Sequence, residues 1–370
     1  MPGRILLSCL TVILLPVAGN AETNSTELER LGQALFFDTS LSLTRKQACG
    51  TCHEPGRAFT DGRNSDVAGA ASVGDDGTSV GDRNTPSIGY ASQVPEFHRN
   101  DLGEYVGGFF LDGRAASMAI QAAEPFLNPI EMAMPDRGSV VDRVRENPTY
   151  TNSLESIFGE DIFADKEKAF DAVVASIVAF ENTELFAPFD SKYDRYLRGE
   201  YEMTGDEELG RILFFSQMIG CHNCHLLDTR ESAANEVFTN HKYHNIGVPV
   251  NQSVRATNGV TEVDVGLLAN PAVSDSAEAG KFRVPSLRNV AVTGPYMHNG
   301  VFQELDTAIL FYDKYLVVNQ ESRKNPETGE QWGDPEVART VDLDLLQQGQ
   351  PITAARARVL AAFLRTLTDQ

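Results

Sequence analysis

The sequence predicts a mainly α-helical chain of two like halves with long loops, and three observations predict it. Cys49-Gly50-Thr51-Cys52-His53 and Cys221-His222-Asn223-Cys224-His225 repeat one C-x-x-C-H pattern. Each follows the same apolar run, Leu31-Gly32-Gln33-Ala34-Leu35-Phe36-Phe37 before the first and Leu209-Gly210-Arg211-Ile212-Leu213-Phe214-Phe215 before the second. Elsewhere apolar residues recur at helical spacing, as in Phe170, Val173, Val174, Ile177 and Val178, or Val359, Leu360, Phe363, Leu364 and Leu367.

A C-x-x-C-H run lets two cysteines hold a haem through thioethers while the adjacent imidazole reaches the iron. A redox dithiol or half of a zinc site also uses C-x-x-C, but neither needs the trailing histidine. Two such runs consume every cysteine except Cys9, which lies in the segment read below as a leader. The pattern therefore implies two covalent c-type haems, attached at Cys49, Cys52 and Cys221, Cys224, with His53 and His225 as iron ligands. Each helix ahead of a haem run then packs aromatic residues against its own porphyrin. The fold class follows as mainly α, two cytochrome c-like haem domains with long loops, at 22–190 and 191–370.

Taken in order, residues 1–21 carry a short basic start at Arg4, an apolar stretch from Ile5 to Val17, and small residues at Gly19 and Ala21. This predicts a secretory signal peptide and a periplasmic address. Cys9 sits inside the apolar stretch and reads as a passenger rather than a lipidation site. No later segment approaches 18 apolar residues in a row, so no membrane span is expected. Losing residues 1–21 removes Arg4 and no acid, which takes the net charge from -21 to -22. That charge argues against nucleic acid as a partner and suits a surface that steers a basic electron carrier.

Pro55 to Asp82, rich in Gly and Asp, reads as a long loop over the first haem. Ala115 to Glu124 reads as a helix ended by Pro125, with a loop from Pro125 to Met134. Ala169 to Glu181 reads as a core helix, 183–200 as a linker and 226–281 as a polar insertion. Leu305, Ile309, Tyr312 and Leu316 share one face of a helix starting near Asp306, which points Tyr312 inward. Ile352 to Leu367 closes the chain as a last helix.

Five further stretches fall in one order with the haem runs: Arg83-Asn84-Thr85-Pro86, Leu111-Asp112-Gly113-Arg114, Asn128-Pro129-Ile130-Glu131-Met132, Ser286-Leu287-Arg288-Asn289-Val290 and Pro295-Tyr296-Met297-His298. Together they resemble the dihaem cytochrome c peroxidase family, including its MauG branch, over nearly the whole mature chain. By pattern alone Glu131 reads as a paired structural acid. The resemblance implies instead a distal acid-base group over the first haem, with Gln121 as hydrogen-bonding partner and Pro125 as pocket wall. It implies a calcium ion held at Asn84, Thr293 and Pro295 through oxygen ligands.

Three departures from the family pattern stand out. Where its reduction-dependent peroxidases carry a loop histidine over the first haem, this chain has Asp76, and His98 lies beyond the Arg-Asn-x-Pro stretch. Tyr312 stands where those peroxidases have an axial methionine and the MauG branch a tyrosine. Leu111 replaces the usual inter-haem tryptophan, the only tryptophan being Trp332, which leaves Phe109, Phe110 or Tyr90 as aromatic candidates for the gap. The implied activity is reduction of hydrogen peroxide at the His53 haem with electrons relayed through the His225 haem from a small donor, a cytochrome c or copper protein. The alternative is a MauG-like oxidase that modifies an oxidisable partner protein. A non-enzymatic dihaem carrier, with both irons fully ligated, is the reading from another class.

Overall fold

The computed structural model describes residues 19–63, 65–226, 235–316 and 324–370. Most of the expected leader, 1–21, and residues 227–234 of the polar insertion lie outside them. Twelve α-helices and four two-residue strands are found among the described residues. The helices are α1 (Gly19–Phe36), α2 (Cys49–Cys52), α3 (Met118–Leu127), α4 (Arg137–Arg145), α5 (Pro148–Phe158), α6 (Lys166–Glu181), α7 (Lys192–Leu197), α8 (Gly205–Phe214), α9 (Gln252–Asn258), α10 (Leu305–Phe311), α11 (Leu343–Leu346) and α12 (Ala354–Arg365). Strand β1 (His98–Arg99) pairs antiparallel with β2 (Tyr105–Val106), and β3 (Tyr243–His244) with β4 (Phe282–Arg283). The chain is mainly helical, as expected, with long irregular connections. No helix among the described residues is long and apolar enough to cross a membrane.

Local chemistry sets the helix starts. Thr204 and Glu207 form a reciprocal cap at the start of α8, Thr204 Oγ1 accepting from the Glu207 amide and Glu207 Oε2 from the Thr204 amide. Asp165 caps α6, and Thr353 caps α12.

The repeated L-G-x-x-L-F-F run is a helix-crossing device. A methyl group placed on Gly32 of α1 would sit 1.8 Å from the Ser176 carbonyl oxygen of α6, and one on Gly210 of α8 would sit 1.9 Å from the Val359 carbonyl oxygen of α12. In both halves, therefore, only glycine lets the helix ahead of the C-x-x-C-H run lie directly on its partner's backbone. The phenylalanines that follow fill the space beside each crossing. Phe36 packs edge-on to Phe180 and Phe186, and Phe214 packs against Phe238 and Phe363. One apolar core gathers residues between Leu31 and Phe186, and another gathers residues between Tyr193 and Leu367.

Segments expected to be loose are tied down. Residues 183–200 contain α7, whose capping residues Ser191 and Asp194 are buried. Asp194 takes a two-pronged ion pair from Arg288, at 2.6 and 2.9 Å, so the expected linker is anchored by a buried charge pair. Arg83 joins two of the sequence stretches and the polar insertion, donating to Asp112 and to Asp264 at 2.7 Å. At the chain end Asp369 accepts from the Tyr90 hydroxyl and the Asn289 amide, both at 2.8 Å.

One helix boundary is corrected. Pro125 does not end α3 but lies inside it, and the loop begins at Asn128. Proline costs the helix only the bond its missing N–H would give to Gln121. The last-turn carbonyls are taken up instead by the returning loop, Pro125 by the Met132 amide and Phe126 by the Met134 amide.

Gly210→Ala should therefore lower stability although alanine is the better helix former. Overpacking of about 1–3 kcal/mol opposes a propensity gain of about 1 kcal/mol. A melting temperature at or above that of the parent would show that α8 and α12 are not in backbone contact.

Candidate active site and haem cavity

One cavity of about 900 Å³ runs along both C-x-x-C-H motifs, and Cys49, Cys52, His53, Cys221, Cys224 and His225 all line it. The two histidines are held alike. His53 Nδ1 lies 3.0 Å from the Phe59 carbonyl oxygen and His225 Nδ1 lies 3.0 Å from that of Phe238. An acceptor there fixes the proton on Nδ1 and leaves Nε2 with its lone pair free to ligate. Burial lowers both imidazoles below their ordinary value, His225 to about 4, so they stay neutral as a metal ligand must.

The cysteines fit thioether attachment better than metal binding. Burial pushes Cys49 well up, Cys52 to about 11 and Cys221 to about 12, so these thiols are protonated in their buried sites. Among the described residues no group of three or more His, Cys, Asp or Glu is arranged to hold a metal. The residues present thus suit two covalent haems, each with a preset histidine.

The first motif shares its cavity wall with Gln121, Pro125 and Glu131. Glu131 Oε1 accepts from Asn128 Nδ2 at 2.7 Å. Burial raises Glu131 above the ordinary carboxylate range against the opposing pull of that bond and of Arg114. Its loop is pinned on two sides, by the Asp75 amide donating to the Glu131 carbonyl at 2.8 Å and the Leu43 amide donating to the Met132 carbonyl at 2.9 Å. A half-buried, raised and rigidly mounted carboxyl is suited to passing a proton.

Asp76 is exposed and closes a turn on Thr78 and Ser79, while His98 is exposed beside Glu96. Neither belongs to the cavity wall. At the second motif Tyr312 does line the cavity, although α10 stops at Phe311 and Tyr312 opens a 3-10 turn through Tyr315. Its 37% exposure is cavity surface. Burial and the nearby Cys221 and Cys224 sulfurs push its phenol up.

Asn84, Thr293 and Pro295 also reach the cavity wall. Asn84 Nδ2 donates to the Ala70 carbonyl at 3.2 Å. Around Leu111 the wall carries Phe109, Phe110 and Tyr90, and also Phe282, stacked on His298 with ring centroids 3.7 Å apart. The sequence reading missed Phe282, Asn128 and Glu181. Asn128 alone carried a signal, three residues ahead of Glu131 in the same stretch.

Residues 26–202 match the family model of the di-haem cytochrome c peroxidase. The chain is 51% identical over 371 residues to the methylamine utilization protein MauG of Paracoccus denitrificans, covering 98% of this chain and 95% of that protein. It is 28% identical over 288 residues to the cytochrome c551 peroxidase of Nitrosomonas europaea, covering 77% of this chain and 72% of that one. The crystal structure of the diheme peroxidase BthA from Burkholderia thailandensis superposes with a TM-score of 0.80 at 30% identity, covering 92% of this chain and 86% of that one.

Produced in a host that attaches c-type haem, the protein should carry the mass of two haems. Replacing Cys49 and Cys52 by alanine should leave one. An intact mass showing one haem on the parent chain would contradict the assignment.

Proposed function

Because this chain belongs to the di-haem cytochrome c peroxidase family, we propose that it is an exported, periplasmic oxidoreductase that reduces hydrogen peroxide over the first motif and draws electrons through the second. The half-buried Glu131 carboxyl on the cavity wall it shares with His53 carries this reading. We read 22–190 as the peroxide-reactive unit and 191–370 as the electron-transfer unit.

When bound, the haems supply the redox equivalents and the iron at which the peroxide O–O bond breaks. His53 would hold the first iron. Ionised Glu131, on the same cavity wall, would take a proton from the peroxide and return it to the departing oxygen, which would leave as water, a task worth about 10²–10⁴-fold. Asn128 Nδ2 steers the carboxylate, and Gln121 and Pro125 belong to the same wall. Neither Asp76 nor His98 lines this cavity. His225 and Tyr312 would hold the second iron, and a phenolate ligand would favour its oxidised state. Asn84 Oδ1 with the Thr293 and Pro295 carbonyl oxygens offers a hard site for calcium between the two motifs.

A second reading follows from the 51% identity to MauG over almost the whole chain and from Tyr312. In it the electrons come from an oxidisable residue of a partner protein instead of a small cytochrome or copper protein. Steady turnover of peroxide with reduced cytochrome c favours the first reading, and stoichiometric oxidation of a partner without such turnover favours the second.

Glu131→Gln should retain both haems and lower the rate of reaction with peroxide by about 10²-fold or more. Since Glu131 acts ionised and burial raises it, the parent rate should fall on acidification with a midpoint above the ordinary carboxylate range, and the variant should lose that limb. Unchanged rates in Glu131→Gln would make Glu131 structural. Tyr312→Phe should change the spectrum of one haem and leave peroxide binding at the other intact. An unchanged spectrum would remove Tyr312 from the iron.

A further inference from the structure

The cavity wall holds a second carboxyl that the chemistry above does not use. Glu181 ends α6, is 4% exposed, and lines the cavity shared with Cys49, Gln121 and Glu131. No hydrogen bond and no ionised neighbour acts on it, and burial alone pushes it up to about 8. The negative end of the α6 dipole disfavours its charge further. Helices α1, α3, α4 and α5 pack on α6, yet their charged side chains, Arg30, Glu124, Arg137 and Glu155 among them, make no contribution to it. The titratable groups that share its surroundings are Cys49, whose thiol is consumed by the thioether, and Glu131, since both carboxyls are felt at Cys49.

Glu181 and Cys49 line the same cavity, so a haem bound through Cys49 would have this acid on its wall. Adding a positive charge to the haem draws the proton off, and removing that charge draws it back, because in a dry site the coupling of two nearby charges is strong. We propose that Glu181 is the proton-storage group of the first haem, releasing one proton from its carboxyl when that haem loses one electron and recovering it when the electron returns. The electron leaves for the second haem or an added oxidant such as ferricyanide. The carboxyl O–H bond breaks, the proton goes to solvent, and the carboxylate offsets the new positive charge. Glu131 hands one proton across a bound peroxide, whereas Glu181 evens out the charge of the haem itself.

The inference rests on a haem being held by Cys49, Cys52 and His53, and the test separates the two. Potentiometric titration of the holoprotein, followed optically, first reports whether two haems are present and titrate. Across pH values spanning 8 the midpoint potential of the first haem should fall as pH rises, since the acid is stronger beside the oxidised haem. Glu181→Gln should flatten that dependence and leave the second haem unchanged. A redox-difference infrared spectrum should show a protonated carboxyl band that shifts in D₂O, persists in Glu131→Gln and is lost in Glu181→Gln. Should Glu181→Gln fail to take up haem, Glu181→Asp keeps an acid one methylene back and should move both the band and the pH midpoint. Parent and variant with the same pH dependence, or a parent spectrum without a carboxyl band, would overturn the proposal. A first haem that is absent would instead overturn the reading beneath it.

Discussion

The bond from each histidine Nδ1 to a phenylalanine carbonyl is the constraint on which the rest of the structure depends. With the proton on Nδ1 it fixes the ring against the backbone and leaves Nε2 free as the ligating atom. Both carbonyls belong to residues in the left-handed region, Phe59 at φ 60 and Phe238 at φ 56. A non-glycine residue there costs about 1–3 kcal/mol and persists only where its surroundings hold it. Those surroundings are the aromatic cores. Phe59 stacks on Phe186 at 4.2 Å, and Phe238 lies among Tyr193, Phe214 and Phe363. The cores in turn rest on the glycine crossings of α1 with α6 and α8 with α12. In this way Gly32 and Gly210, in the helix ahead of each motif, support the loop carbonyl that each imidazole meets.

The two halves share that mounting and differ in what faces it. The first presents two carboxyls, half-buried Glu131 and buried Glu181, and an amide, Gln121. The second presents a phenol, Tyr312. Under the proposed function the carboxyls serve proton traffic and the phenol ligation, so the division of labour would lie in a few residues of the cavity wall. Arg83 and Arg288, both in stretches that recur in the family pattern, also line this cavity and tie separate segments together through their ion pairs to Asp112, Asp264 and Asp194.

Much of this was legible in the chain because it is local. The C-x-x-C-H runs and the helices ahead of them state their chemistry within a few residues, whereas Glu131 by pattern alone read as a paired structural acid and stood out only through the family resemblance. Gly32 and Gly210 were visible as a repeat, but their reason was not, since it lies in Ser176 and Val359 more than a hundred positions away. Pro125 misled because proline is a helix breaker by itself, and only the fold shows the Met132 and Met134 amides taking the carbonyls near it. Phe282 and His298 stack through a sheet and a loop that no periodicity announces. Glu181 closed the stretch read as a core helix, and the sequence does not reveal that this end lines the cavity.

The proposed function requires a first iron site that is open to peroxide in the oxidised protein, with Glu131 on its wall and neither Asp76 nor His98 among the lining residues. Stopped-flow mixing of the fully oxidised holoprotein with hydrogen peroxide tests this most directly. An immediate spectral change, first-order in peroxide and without a lag, is the predicted result. A reaction that appears only after one-electron reduction would contradict it.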